Sequence, residues 1–334
     1  MMKRKKIILS YDYELFFGDR SGTVQKSLIE PTNLLLDSMD RVGFKGNFFI
    51  DWQMIKYLSL EKDEQCRHDY ASVVNQLKDI VRRGHRIELH IHPHWVDAKY
   101  NGDGTWNFSE FRHYCLNSFP PNEITDMFVE GTNLLESIAR EVIPDYKIVA
   151  FRAGGWAVQP FRLLIKGFQK TGIRIDSSVI SGLGVISQHA SIDYTAIKNP
   201  SCGFYKFKDN ESIEDKGEFI EVPISTCKRT FPVKIVSLLS RLIKCDVKAI
   251  TDGTHSRTAD PEEQWLNPHH LGVFTFSNIT PLETFLRQVT NNDRDVICYI
   301  EHPKDYSKYT ARNIRALSCT RCDSINYKDI LDQL

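Results

Sequence analysis

His90 and His94 stand four residues apart in the run Gly84-His85-Arg86-Ile87-Glu88-Leu89-His90-Ile91-His92-Pro93-His94. Neutral imidazole nitrogens are common ligands for zinc and its neighbours, and a catalytic site of that kind takes about three protein ligands plus an open position for water. Ile87, Leu89 and Ile91 alternate with Glu88, His90 and His92, which predicts a strand whose ladder stops at Pro93 and leaves His94 on the following loop. Histidines at a strand end also occur simply solvated or hydrogen-bonded, so the spacing needs support from elsewhere.

Asp12 and Glu14 can supply it. Two apart on a strand, their carboxylates point the same way, so one can ligate a metal while the other works as a base; the alternative is a pair of solvated acids. Other apolar runs also end in polar residues: Arg152, Asp176 and His302. Arg152 reads as orienting a carboxylate, either Asp12 or Asp176, or as one half of a rim ion pair. Trp95 and Trp156 are candidates for stacking on a ring-shaped substrate or for packing, and Gly154 and Gly155 allow close approach of backbone to a ligand.

Bringing residues 12 to 302 together requires elements that end at one rim. Apolar runs at 6–13, 47–51, 86–92, 147–152, 173–176, 218–224 and 296–301 read as strands, and amphipathic stretches at 31–42, 68–83, 123–142 (capped by Asn122), 160–170 and 281–290 (capped by Thr280) read as helices. This βα rhythm predicts a parallel sheet closed into a distorted (β/α) barrel, with every candidate residue at a strand's carboxyl end, where such barrels build active sites. Two stretches break the rhythm, about 95–121 and 228–278, and read as long βα-loop insertions in a single domain spanning 1–334.

With 334 residues, 41% hydrophobic and 26% charged, the chain can bury one large core. Forty-three basic residues balance forty-three acidic ones, so no global field recommends nucleic acid as a partner. The basic start, Lys3 to Lys6, is followed by only Ile7, Ile8 and Leu9 before Asp12, too short for an export signal, and no segment approaches the roughly 20 apolar residues of a membrane span. A cytoplasmic chain with eight reduced cysteines is expected. Cys319 and Cys322 form a C-x-x-C with no second pair to complete a zinc set.

Taken in order, Ser10-Tyr11-Asp12-Tyr13-Glu14, the histidine run, Phe151-Arg152-Ala153-Gly154-Gly155-Trp156, Asp176-Ser177-Ser178 and Tyr299-Ile300-Glu301-His302-Pro303 resemble the motifs of the NodB-homology polysaccharide deacetylases, over residues 6 to about 305. The resemblance implies a distorted barrel and a divalent metal, usually zinc with cobalt or nickel as alternatives, held by one carboxylate and by His90 and His94. It further implies an aspartate base at Asp12, an arginine at Arg152 that orients it, and a histidine at His302 that protonates the leaving amine. The sequence departs from the family pattern at two places. Tyr13 stands where a second aspartate is familiar, so Glu14 becomes the metal ligand unless the two acids exchange roles, and Arg152-Ala153-Gly154-Gly155-Trp156 replaces Arg-Pro-Pro-Tyr. His92 fills a variable position, as a spare ligand, a pocket residue or an exposed one.

The activity so implied is hydrolysis of an N-acetyl group from an amino sugar, with a saccharide precursor of surface polysaccharide as substrate. The rivals are an amidase of the same fold acting on a non-sugar, including a cyclic, amide, and a catalytically silent carbohydrate-binding protein.

Overall fold

Strands covered on both faces read as nearly continuous apolar runs, and those of this chain are covered so. The computed structural model describes residues 4–333 except 19, most of 229–247, 256–263, 267–270, 278–281 and 291–293. Strands β1 (Lys5–Tyr13), β2 (Gly46–Asp51), β3 (Arg86–Ile91), β4 (Ala150–Ala153), β5 (Ile175–Asp176), β6 (Tyr205–Phe207), β7 (Phe219–Glu221) and β8 (Val296–Glu301) form a curled sheet in the order β6-β7-β5-β4-β3-β2-β1-β8, and β9 (Cys322–Ser324) adds to β1. Neighbours are parallel except β6 with β7.

The expected barrel is therefore an open one. Among the described residues no ladder joins β8 to β7; the seam is bridged by Ser225, whose N–H donates to the Cys298 carbonyl at 3.0 Å and whose hydroxyl accepts from the Cys298 N–H at 3.0 Å.

Alternation sorts each strand onto two faces. The convex face carries Leu9, Tyr11, Phe48, Ile50, Leu89 and Phe151 in the main apolar core. Against it pack α1 (Glu30–Asp40), α2 (Trp52–Leu60), α3 (Glu64–Arg82) and α4 (Pro121–Arg140) through residues such as Leu35, Ile55, Leu77 and Phe128. Asp63 caps α3 by accepting from the N–H groups of Gln65 and Cys66. The α4 helix begins at Pro121 rather than after Asn122, because proline at the first helical position needs no N–H partner. A methyl group at Gly131 would sit 2.7 Å from the Trp52 ring, so glycine there sets how closely α4 approaches α2.

The concave face holds a smaller cluster of Ile8, Phe49, Ala150, Ile175, Ile220, Val222, Val296 and Cys298. After α5 (Ile165–Thr171), α6 (Leu282–Thr290) and α7 (Thr310–Ser318), the last helix, α8 (Tyr327–Leu331), plugs this cluster with Tyr327 and Ile330. Residues 95–121 add Trp95, Trp106, Phe108 and Leu116 to the main core, which makes that insertion a packed cap. Much of 228–278 lies outside the described residues, as does the Thr280 cap; within it, Leu271–Val273 pairs with Thr226–Lys228, and Gln264–Leu266 with Gly184–Ile186. Among the described residues no helix is long and apolar enough to cross a membrane.

Candidate active site

The concave parity of the strands carries the polar rim. Asp12 lies in register with Phe49, Asp51 with His90, and His90 with Arg152, so these side chains leave the sheet on the side of the small cluster; His302 continues the same parity beyond β8.

Arg152 is fully buried and its guanidinium is committed. It donates to Asp12 Oδ1 at 2.6 Å, to the Ser177 carbonyl at 2.8 Å and to Ser10 Oγ at 2.8 Å, with Ser177 Oγ at 3.2 Å and the Tyr327 hydroxyl at 3.4 Å, and it lies over the Phe49 ring. Burial opposes its charge, but Asp12 outweighs burial and raises its pKa. Of the two carboxylates open to it in sequence, Arg152 takes Asp12. So many bonds leave it to fix Asp12 and not to reach for a ligand.

Glu14 bridges two cationic partners: Lys304 Nζ donates to Oε1 at 2.8 Å, and His90 Nε2 faces Oε2 at 3.0 Å. Burial opposes its ionisation, yet Lys304 and His90 prevail and hold its pKa well below the usual value. The other nitrogen of His90, Nδ1, donates to the Arg152 carbonyl at 2.8 Å, which leaves Nε2 with a lone pair toward Glu14. Two such acceptors at 3.0 Å need a proton or a cation between them. Burial works against a charged His90, but Glu14, Asp12 and Asp51 raise its pKa to about 9.

His302 completes the group. Its Nε2 lies 3.7 Å from Asp12 Oδ2 and 3.5 Å from Glu14 Oε1, while Nδ1 lies 3.2 Å from Asp305 Oδ2; His255 holds the other Asp305 oxygen at 2.8 Å. Burial lowers the pKa of His302, but the bond to Asp305 outweighs it and the net shift is upward. An imidazole oriented in this way, with its free nitrogen over two carboxylates, can donate or accept a proton at that point.

His94 lies in the turn Pro93–Asp97 against Phe17 and Phe108, and neither ring nitrogen has a hydrogen-bond partner among the described residues; His92 stacks beside it with an orphaned Nδ1. Glu14, His90 and His94 do not present three ligand atoms within 4.8 Å of one another; among the described residues only Glu301, His302 and Asp305 do. Glu301 is already saturated by the N–H groups of Phe276 and Ser277 and by Ser277 Oγ, so that trio is a hydrogen-bonded brace. The donor chemistry of Glu14 and His90, with the orphaned nitrogens of His94, fits a divalent cation.

Trp95 is fully buried with its indole N–H on Asp51 Oδ2 at 2.5 Å, so it anchors Asp51 and exposes no ring face. A methyl group on Gly154 would strike the His92 ring at 2.5 Å. Gly155 has φ of 60° and Trp156, unusually for an aromatic residue, 58°; Trp156 is half-buried against Trp265. The Ala153 N–H is committed to Ser178 Oγ at 2.9 Å, which removes it as an oxyanion donor. Asp176 lies on the convex face, in register with Phe151 and Glu221, bonded to Ser178 at 2.7 Å and away from Arg152. Cys319 is exposed and Cys322 buried, both as free thiols.

Sequence reasoning missed Ser10, Asp51, Ser177, Lys304, Asp305 and Tyr327. Parity marks Ser10, Asp51 and Ser177, which share the concave face with Asp12, His90 and Arg152; no local signal marks Lys304 or Tyr327, whose partners lie far away in the chain, or Asp305, which meets His302 through the turn Pro303–Asp305. Asp51, with Oδ1 unpartnered, is pushed by burial to about 7, with Glu14 adding to the rise.

Fold and site together define a curled, largely parallel β/α protein with a cluster of carboxylates, imidazoles and one guanidinium at the strands' carboxyl ends. No profile of a known protein family and no curated protein matches the chain. Among solved structures it is similar to a 4-alpha-glucanotransferase from Thermococcus litoralis, at 13% identity and a TM-score of 0.53 over 100% of this chain and 41% of that one; this likeness shows the fold alone. A protein from Mycobacterium smegmatis described as a polysaccharide deacetylase aligns at 13% identity over 100% of this chain and 91% of that one, with a TM-score of 0.49. A GH57 branching enzyme from Thermococcus kodakaraensis aligns at 10% identity over 99% and 71%, with a TM-score of 0.47.

Proposed function

We propose that the chain is a hydrolase that removes the acetyl group from an N-acetylated amino sugar, acting on a precursor of surface polysaccharide. The observation that carries this reading is the convergence of Asp12 on Arg152 and of Glu14 on His90 at one rim, the two pairings that the resemblance to polysaccharide deacetylases implies, with His302 beside both carboxylates. Glu14 and His90, with His94 as third donor, would hold a divalent ion, zinc foremost and cobalt or nickel as alternatives. When bound, such an ion supplies an acidified water and polarises the amide carbonyl.

The chain's own groups do the rest. Asp12, aimed by Arg152, takes the proton of the attacking water. His302, with Nδ1 held by Asp305, presents Nε2 at the same place and hands a proton to the departing sugar nitrogen; its raised pKa favours the imidazolium that this step needs. Arg152, saturated by five oxygen acceptors, positions Asp12 without touching substrate.

The test couples metal analysis to turnover. Full-length protein held at equilibrium with free zinc is assayed for bound metal by equilibrium dialysis and for acetate release from a panel of N-acetyl sugars, beside His90→Ala, His94→Ala and Asp12→Asn. The expected result is about one ion per chain, lost in both histidine variants, and turnover lost in all three while Asp12→Asn keeps its metal. Turnover unchanged in Asp12→Asn would overturn its role, and metal retained by His90→Ala would overturn the ligand set.

A further inference from the structure

Lys304 is an ammonium where the proposed ligand set has its only carboxylate. It follows β8 in the short helical turn Pro303–Asp305, whose geometry turns Asp305 onto His302 and Lys304 into the rim. The residue is 2% exposed, and its Nζ donates to Glu14 Oε1 at 2.8 Å and to the Leu15 carbonyl at 2.8 Å, beneath the rings of Phe17 at 4.8 Å and Phe16 at 5.4 Å. A buried lysine held by four such groups is a fixed part of the centre, unlike a surface lysine that swings through solvent.

We propose that Lys304 sets the metal affinity of this centre: its ammonium is a built-in competitor for Glu14, so the chain binds a divalent cation loosely and exchanges it. The inference rests on the metal reading above. A carboxylate that serves as a structural zinc ligand puts its whole negative charge at the ion's disposal. Here one oxygen is already neutralised, and an ion at the other oxygen lies within a few ångströms of a like charge in a poorly solvated place, where repulsion is large. The same pairing satisfies Glu14 when no ion is bound, so folding does not depend on metal. The chain is then loaded by an excess of ion in solution and does not carry one through purification.

The experiment is zinc titration calorimetry on chelator-stripped, full-length wild type, Lys304→Met, Lys304→Gln, Lys304→Arg and His90→Ala, with the zinc-induced rise in melting temperature as a second readout. Removing the charge in the Met and Gln variants is expected to tighten zinc binding by at least about tenfold and to enlarge the melting shift, whereas Arg, which keeps the charge, stays within about threefold of wild type. If Lys304→Met does not fold, Lys304→Gln retains N–H donors for Glu14 and Leu15 and carries the comparison. Equal or weaker binding in the uncharged variants, with binding abolished in His90→Ala, overturns the role of Lys304 and leaves the metal reading standing. Zinc binding that His90→Ala does not alter overturns the metal reading, and this inference with it.

Discussion

Two buried acidic pairs lie on opposite faces of the same curled sheet, and only one of them has counter-charges. On the concave face Asp12 meets Arg152, and Glu14 meets Lys304 and His90. On the convex face Asp176 and Glu221 stand in register on β5 and β7, with Ser178 as hydrogen-bond donor to Asp176 and no cationic partner among the described residues. All four carboxylates are nearly or fully buried. Burial pushes Asp176 to about 6 and Glu221 well above its usual value, the latter driven further by Asp176, while Glu14 is held well below. A buried acid is held in its charged form where the fold delivers cations to it, as the turn after β8 delivers Lys304 and β3 delivers His90 to Glu14. That delivery separates Glu14, held in its charged form, from a pair pushed toward the protonated one.

The sharpest way to break this contrast is to remove the cation from one side and the acid from the other. Arg152→Met leaves Asp12 buried without its partner and is expected to cost about 3–5 kcal/mol in urea unfolding and to abolish acetate release. Asp176→Asn replaces a largely protonated acid by a neutral isostere and is expected to cost about 1 kcal/mol or less at low pH, with turnover within about threefold of wild type. Equal costs would mean that the convex pair is as charged as the concave one.

A second effect follows from pH. Asp176 titrates near 3.8 when unfolded and at about 6 when folded, so the folded chain binds more protons between those values. Its contribution is complete below pH 4 and is lost as pH rises through 6, a decline of up to about 3 kcal/mol, to which Glu221 adds in the same direction. Urea midpoints measured from pH 4 to 8 should fall more steeply for wild type than for Asp176→Asn, and parallel curves would show that the pair ionises without cost.

This contrast also marks how far the sequence could be read. The βα rhythm and the rim position of Asp12, Glu14, His90, Arg152 and His302 follow from period and punctuation, whereas a carboxylate partner for Arg152 is what the family resemblance implies. Asp176 resisted because its strand is two residues long and covered on both faces, so alternation had no polar side to choose. Closure of the barrel was over-read, since nothing local distinguishes a ladder at the seam from the single residue Ser225. Trp95 reads in sequence as a ring-stacking or a packing residue, and its indole bond to Asp51, a contact across 44 positions, decides for packing. Lys304 and Asp305 follow a histidine in what reads as a loop, and only the turn geometry makes one a partner of Glu14 and the other of His302.

The smallest expected effect asks whether the concave side owes its order to the strands or to the plug. Tyr327, fully buried on α8, shares its hydroxyl with Ser177 Oγ at 2.8 Å and takes a long bond of 3.4 Å from Arg152. Arg152 keeps Asp12, Ser10 and the Ser177 carbonyl without it, all at 2.8 Å or less. Tyr327→Phe should therefore lose one neutral hydrogen bond, about 1 kcal/mol of stability, and lower turnover by less than about tenfold with no change in the pH profile of acetate release. A loss comparable to that of Arg152→Met, with a shifted profile, would place the control of Asp12 in the C-terminal helix, and would make the strand contacts of Arg152 secondary to the plug that covers them.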